Sequence, residues 1–413
     1  MPLRLEDIDL FDPAIQESPY AAYALLRDEA PVWCMPQTGW YLVTRYADIA
    51  DVVRRPDPYS MRVGRRLSNP YQTDPEVHRI FREEGWPNPG SLSTDPPVHA
   101  RYRSLVDVSF SAKRVRAMQP GIEKLIHALV DSFEAEGEID FIRRFTYPLP
   151  MMVITERLGL PMADLPRLKA WSESWVLPFA MNLERAQRIA VARSNVALQH
   201  YLVEKLEEKR RSPGEDILSN LVQARFEGSR PLETPELLSL AEQILVGGNE
   251  TTTNSIASGM MLLIQNPGLE ETLRADPALI PSFVEEVLRL ESPTQGLFRI
   301  TTRDTELSGV AIPADSLVHL RFAAANRDPR HFPEPDRLDV HRANATTQLA
   351  FSQGAHVCLG APLARQEMRL AFRILLERLE GFRFAKGATD LRHVPGFTLR
   401  ALEKLHVTLR SRA

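Results

Sequence analysis

Phe351-Ser-Gln-Gly-Ala-His-Val-Cys-Leu-Gly360 is the stretch on which the reading of the chain turns. Cys358 stands near its end, just before residues 361–379, whose apolar spacing predicts a helix. A thiolate at such a junction gains from the unpaired N–H groups and partial positive charge of the helix N-terminus, which lower its pKa and favour an anionic ligand. Around it Phe351 supplies an apolar shield, Gly354 a tight turn, His356 a cation or hydrogen-bond donor, and Gly360 close backbone approach. A lone cysteine is usually a small buried hydrophobe. The residues around this one point instead to a metal-ligand loop wrapped around a flat cofactor, haem.

A second stretch answers to it. Thr234-Pro-Glu236 starts a helix and Gln265-Asn-Pro267 stops it. At ~1.5 Å per residue, roughly 30 residues would cross the whole molecule. The ends of this helix are apolar, but its middle is Val246-Gly-Gly-Asn-Glu-Thr-Thr-Thr-Asn254. Paired glycines lower helix propensity and permit distortion, and hydroxyls bond back to carbonyls or capture water. The plain alternative is a kink with satisfied hydroxyls. Over a metal, the same notch could hold dioxygen, with Glu250 passing protons through water and Thr251 steadying the oxygen.

Two shorter patterns add to these. Asp95-Pro-Pro-Val-His-Ala-Arg-Tyr-Arg103 opens a helix with His99 and Arg103 four residues apart on one face, suited to an anion or simply to solvent. Phe283-Val-Glu-Glu-Val-Leu-Arg289 sets Glu286 three residues from Arg289, which alone would be a surface pair worth little.

The patterns D-P-P-x-H-x-x-x-R, G-G-x-E-T-T, E-x-x-R and F-x-x-G-x-H-x-C-x-G follow one another between residues 95 and 360. In that order they resemble the soluble bacterial type of the cytochrome P-450 family. The resemblance implies a mainly α, triangular fold with a smaller β region, in which haem b lies between the long central helix and the cysteine-loop helix. It makes Cys358 the proximal iron ligand, assigns the haem propionates to His99, Arg103, Arg299 and His356, and lines the groove with Gly247 and Gly248. Glu250 stands where some members have aspartate, Ser352 where many have glycine, and Leu338 where phenylalanine is usual. Glu286 and Arg289 become a buried network completed by Arg337, and Gln243, Val246, Thr294, Gln295, Leu297, Phe397 and Thr398 become candidates to face substrate.

The reaction implied is reductive activation of dioxygen and hydroxylation or epoxidation of an apolar small molecule. No flavin, nicotinamide or iron–sulfur segment is visible, so two electrons must come from outside. A ferredoxin or flavodoxin with an NAD(P)H-dependent reductase is the expected donor, received on Arg101, Lys113, Arg114 and Arg365. The rivals are a peroxide-driven haem-thiolate enzyme and, from another class, a haem-based sensor without turnover.

The rest of the chain sets bounds. Its 413 residues contain no linker or repeat, so residues 1–413 read as one domain. A net charge of -4 gives no hint of nucleic acid. Two cysteines, Cys34 and Cys358, fit a reducing compartment, and the N-terminal residues resemble neither a signal peptide nor a membrane span. The expectation is a cytoplasmic protein. Residues 56–94, with Tyr59, Tyr71, Phe81 and Trp86, read as an irregular lid or binding loop, and residues 165–180, with Trp171, Trp175, Leu177 and Phe179, as a substrate roof or, equally, as core. A hairpin is expected over residues 32–44, short strands near 299–303, 311–312 and 317–321, and a last hairpin over 393–409 with its tip at Gly396-Phe-Thr398.

Overall fold

The structure, a computed structural model, describes residues 3–63, 73–180, 183–226, 228–387 and 391–412. Helices carry most of it, with a five-stranded sheet and smaller sheets. The cysteine helix, Ala361–Arg378, begins where its sequence predicts, with Gly360 as N-cap and Pro362 in its first turn. Leu363, Met368, Ala371, Phe372 and Leu375 form its buried stripe in the main core. It packs against Ala112–Asp131 and Ile280–Leu290.

The expected long central helix is two helices. Thr234–Gly247 ends at the paired glycines and Glu250–Gln265 restarts after Asn249. At the break the Asn249 N–H donates to the Val246 carbonyl, three residues back, which tightens the turn and frees the regular ladder. The first half packs on Pro148–Leu158, Leu165–Val176 and Arg185–Arg211; the second packs on Ile280–Leu290 and the cysteine helix. That second contact depends on Gly259, where a Cβ would lie 2.4 Å from the Phe372 ring.

In the larger sheet the order is Val32–Cys34, Tyr41–Val43, Leu317–Leu320, Leu297–Thr301 and Tyr59–Ser60. The first two form the predicted antiparallel hairpin. Leu317–Leu320 runs parallel to Tyr41–Val43 and antiparallel to Leu297–Thr301, and within that last strand Leu297 and Arg299 share one face. The expected C-terminal hairpin is present but shorter than expected: around the Gly396-Phe-Thr398 turn, His393 and Leu402 share an antiparallel bridge, the Val394 N–H donates to the Ala401 carbonyl and the Glu403 N–H to the Arg392 carbonyl. His406–Ser411 pairs instead with Leu379–Phe384, the strand leaving the cysteine helix. Val407 and Leu409 are buried in the main core, which explains the preference.

Within residues 56–94, the described residues are more regular than expected. Pro75–Glu83 is a helix, capped by Asp74 accepting from the Glu76 N–H. Its apolar face is only Val77 and Ile80, buried with Ala192 and Val196, and charged neighbours mask it in the sequence. Tyr71, placed in that loop by the sequence reading, lies outside the described residues. Among the described residues no helix is long and apolar enough to cross a membrane.

Candidate active site

A cavity of about 420 Å³ lies between the break in the central helix and the cysteine loop. Cys358, Phe351, Ser352, His356 and Gly360 form its floor, and Gly247, Gly248, Glu250 and Thr251 face them.

The floor is shaped by backbone chemistry. The Cys358 N–H donates to the Phe351 carbonyl at 2.9 Å and closes the loop. Gly354 has a φ of 73°, and a Cβ there would sit 2.4 Å from the Val53 carbonyl oxygen. Gly354→Ala is expected to cost about 1–3 kcal/mol in an unfolding titration, from the left-handed backbone before the clash is counted. Ser352 adopts the same region, with φ 57° and its buried Oγ without a partner. Its place in a position where glycine is common therefore carries strain.

The Cys358 sulfur opens onto the cavity yet lies deep in the protein. That depth pushes the thiol pKa up, while the Gly360 and Ala361 N–H groups and the charge of Arg103 pull it down without prevailing. The helix terminus thus helps as expected, but desolvation is larger in the metal-free protein. A coordinated metal would take the thiol as its anion outright.

Next to the floor is a polar cradle of His99, Arg299 and His356, with the charge of Asp95 acting on all three. The His99 and His356 rings are 4.0 Å apart. Buried Arg299 donates to the Phe298 carbonyl and is pulled down to about 10 by burial, against the opposing charge of Asp95. Burial, then His99 and Arg299, pulls His356 to about 4, and its Nε2 is buried without a partner. A buried guanidinium beside an orphaned imidazole nitrogen suits a pair of carboxylates entering with a cofactor, so these residues fit the haem propionates. Arg103 does not join them. Its Nη1 donates to the Val357 carbonyl at 2.7 Å and its Nε to Asp107 at 2.6 Å, because it lies one helical turn beyond His99, where that face meets the cysteine loop.

At the break, Thr251 Oγ1 donates to the Gly247 carbonyl at 3.2 Å. Lys169 Nζ donates to Glu250 Oε1 at 2.7 Å, and Asn249 Nδ2 donates to the same oxygen at 3.0 Å. Lys169, 2% exposed, was missed in the sequence, although a lysine beside Leu168 on an apolar helix face was the available signal. Glu367 was missed too. It lines the cavity from the cysteine helix, has an unpartnered Oε2, and burial pushes its carboxyl well above the usual carboxylate range.

The remaining expectations divide. Gln243, Val246, Thr294, Leu297 and Thr398 line the cavity; Gln295 and Phe397 do not. Gln295 accepts from the Tyr23 hydroxyl and donates to Ser292, and Phe397 stacks on Phe11 at 4.9 Å. Pro293 and Thr294 line the cavity side by side, as do Thr398 and Leu399, while Gln295 and Phe397 are drawn away from it by their contacts with Tyr23, Ser292 and Phe11. From the roof, Trp175 and Phe179 reach the cavity, whereas Trp171 packs on Tyr201 and Leu177 is exposed.

The E-x-x-R pair is fully buried. Arg289 donates to both Glu286 oxygens at 2.6 and 2.8 Å. The third member is Arg342, whose Nε donates to Glu286 at 3.1 Å. Arg337 contributes only its carbonyl, and its side chain pairs with Glu334 in solvent. The turn after Arg337 carries the chain back so that the Asp339 N–H and Arg342 meet the carboxylate. In the basic patch, Arg101, Lys113 and Arg114 are exposed. Arg365 is engaged by Glu285.

The family model described as Cytochrome P450 matches residues 72–386. Cytochrome P450 107B1 of Saccharopolyspora erythraea is 36% identical over 408 residues, covering 97% of each chain. Vitamin D(3) 25-hydroxylase of Pseudonocardia autotrophica is 37% identical over 413 residues, covering 99% of this chain and 98% of the relative. The solved structure of cytochrome P450 CYP109Q5 from Chondromyces apiculatus matches with a TM-score of 0.87 and 35% identity, over 99% of this chain and 100% of that one.

Proposed function

Because the chain belongs to the cytochrome P450 family and is therefore a haem-dependent monooxygenase, we propose that it hydroxylates or epoxidises an apolar small molecule, using haem b, dioxygen and two electrons from a separate protein donor. The observation that carries this reading is the Cys358 sulfur opening onto the floor of a cavity beside buried Arg299 and the unpartnered Nε2 of His356. Haem bound there would supply dioxygen activation and O–O cleavage, favoured by thiolate donation. The residues of the chain do the rest. Cys358 ligates the iron, and His99, His356 and Arg299 hold the propionates. Glu250, kept near the break by Lys169, takes up and releases protons, and Thr251 orients the water that carries them. Leu297, Val246 and Trp175 keep bulk water out and seat the apolar substrate.

The donor in this reading is a ferredoxin or flavodoxin with its NAD(P)H-dependent reductase, meeting Arg101, Lys113 and Arg114 near the cysteine side. The chain works as one domain in the cytoplasm. A relative named for vitamin D(3) makes sterol-like molecules the first to try, followed by terpenoids, fatty acids and polyketides.

Titrating the ferric protein with such a panel tests the reading: a saturable low-spin to high-spin change with one class supports it. No change with any compound, and no donor-dependent NAD(P)H consumption, would favour the sensor. Thr251→Ala is expected to lower product formed per NAD(P)H by roughly tenfold or more, with hydrogen peroxide as the alternative product. Unchanged coupling, together with peroxide-supported turnover, would favour the peroxide-driven enzyme.

A further inference from the structure

Arg365 lies early in the cysteine helix, and its side chain turns back toward the loop. Its Nε and Nη2 donate to the two oxygens of Glu285 at 2.6 and 3.0 Å, a bidentate fork. The same guanidinium stands 4.5 Å from the centre of the Phe351 ring, within reach of its negative face. The Phe351 carbonyl accepts the Cys358 N–H, so a fixed cation lies one aromatic ring from the thiolate loop.

Glu285, 2% exposed, also accepts from Gln348 Nε2 at 3.1 Å and forms an ion pair with Arg369, whose Nη2 lies 3.7 Å away. Gln348 accepts the Ala350 N–H at 2.6 Å, which ties the cluster to the residue before Phe351. Two guanidinium groups thus face one carboxylate. The surplus positive charge is held in place, where a medium less polar than water screens it weakly.

From this geometry we infer that Glu285 and Arg365 set the reduction potential of the iron held by Cys358. Arg365 is a positioning residue. Its charge, pinned against Phe351 by Glu285, eases addition of the electron that converts ferric to ferrous iron. Removing the guanidinium lowers the potential; removing the carboxylate unmasks the guanidinium and raises it. A purely structural brace would give the two changes the same sign. The inference rests on the haem-thiolate reading above, and the ferrous–carbon monoxide spectrum tests that reading separately.

The experiment measures the ferric/ferrous midpoint by dye-mediated dithionite titration of the haem-loaded parent and of the Arg365→Gln, Glu285→Gln, Arg365→Lys and Arg369→Gln variants. A parent without the thiolate-type carbon monoxide band would overturn the reading on which the inference rests. With that band present, the expected results are a midpoint below the parent's for Arg365→Gln, above it for Glu285→Gln, and close to it for Arg365→Lys. Arg369→Gln, which lies farther from Phe351, should give a smaller fall than Arg365→Gln. Shifts of equal sign in the two neutralising variants, no shift in either, an equal fall for Arg369→Gln, or Arg365→Lys behaving like Arg365→Gln would each overturn the inference. If Arg365→Gln does not load haem, Arg365→Lys and Glu285→Gln decide between the same outcomes.

Discussion

Cys358→His is expected to abolish oxygen insertion while the polypeptide still folds and binds haem. Sulfur at this position meets the N–H groups of Gly360 and Ala361, opens onto the cavity and carries a full negative charge once coordinated. A neutral imidazole brings no such charge and loses the electron donation that favours O–O cleavage. The expected loss is roughly 10³-fold or more in product formation, equivalent to about 4 kcal/mol of barrier. Product yield with saturating electron donor is the measurement, and the absorption spectrum confirms haem loading. Turnover near the parent's rate would remove Cys358 from the role of ligand.

The second large effect concerns stability. Glu286→Ala should destabilise the protein by about 3–5 kcal/mol, because it strands Arg289 as an unpaired buried charge. Burial already pulls the Arg289 pKa down, and the bonds to Glu286 oppose that pull. Arg289 also donates to the Asn326 and Arg337 carbonyls, and Asn326 Oδ1 accepts the Leu349 N–H at 2.7 Å. A loss at Glu286 therefore reaches the segment leading into the cysteine loop. Weaker haem retention should accompany the fall in the unfolding midpoint. Arg342→Ala should follow in the same direction, whereas Arg337→Ala should stay within about 0.5 kcal/mol of the parent. Equal losses for the two arginines would contradict the network seen in the structure.

That pair of arginines shows where the sequence stops being legible. The cysteine loop can be read residue by residue because its turn, its N–H donors and its helix junction are local. The break at Gly247 and Gly248 is legible for the same reason. Arg337 and Arg342 are both basic residues of one coil, and only the path of that coil decides which meets Glu286. Lys169 and Glu250 are likewise joined by packing of separate helices, with no spacing rule to link them. At Gln295 and Phe397 the neighbourhood is right and the facing wrong, because long-range contacts with Tyr23 and Phe11, which no local spacing reveals, draw these two side chains away from the cavity.

The break in the central helix has an evolutionary consequence. Thr234–Gly247 carries Gln243 and Val246 and rests on the roof helices, while Glu250–Gln265 carries Glu250 and Thr251 and rests on the cysteine helix. Gly248 and Asn249 are the only residues between them. Substitutions at Gln243 and Val246 that refit the first half to a new guest need not touch the second half's packing on the cysteine helix, provided the Lys169–Glu250 bond to the roof is kept. Descendants of this chain can change diet while inheriting the same chemistry.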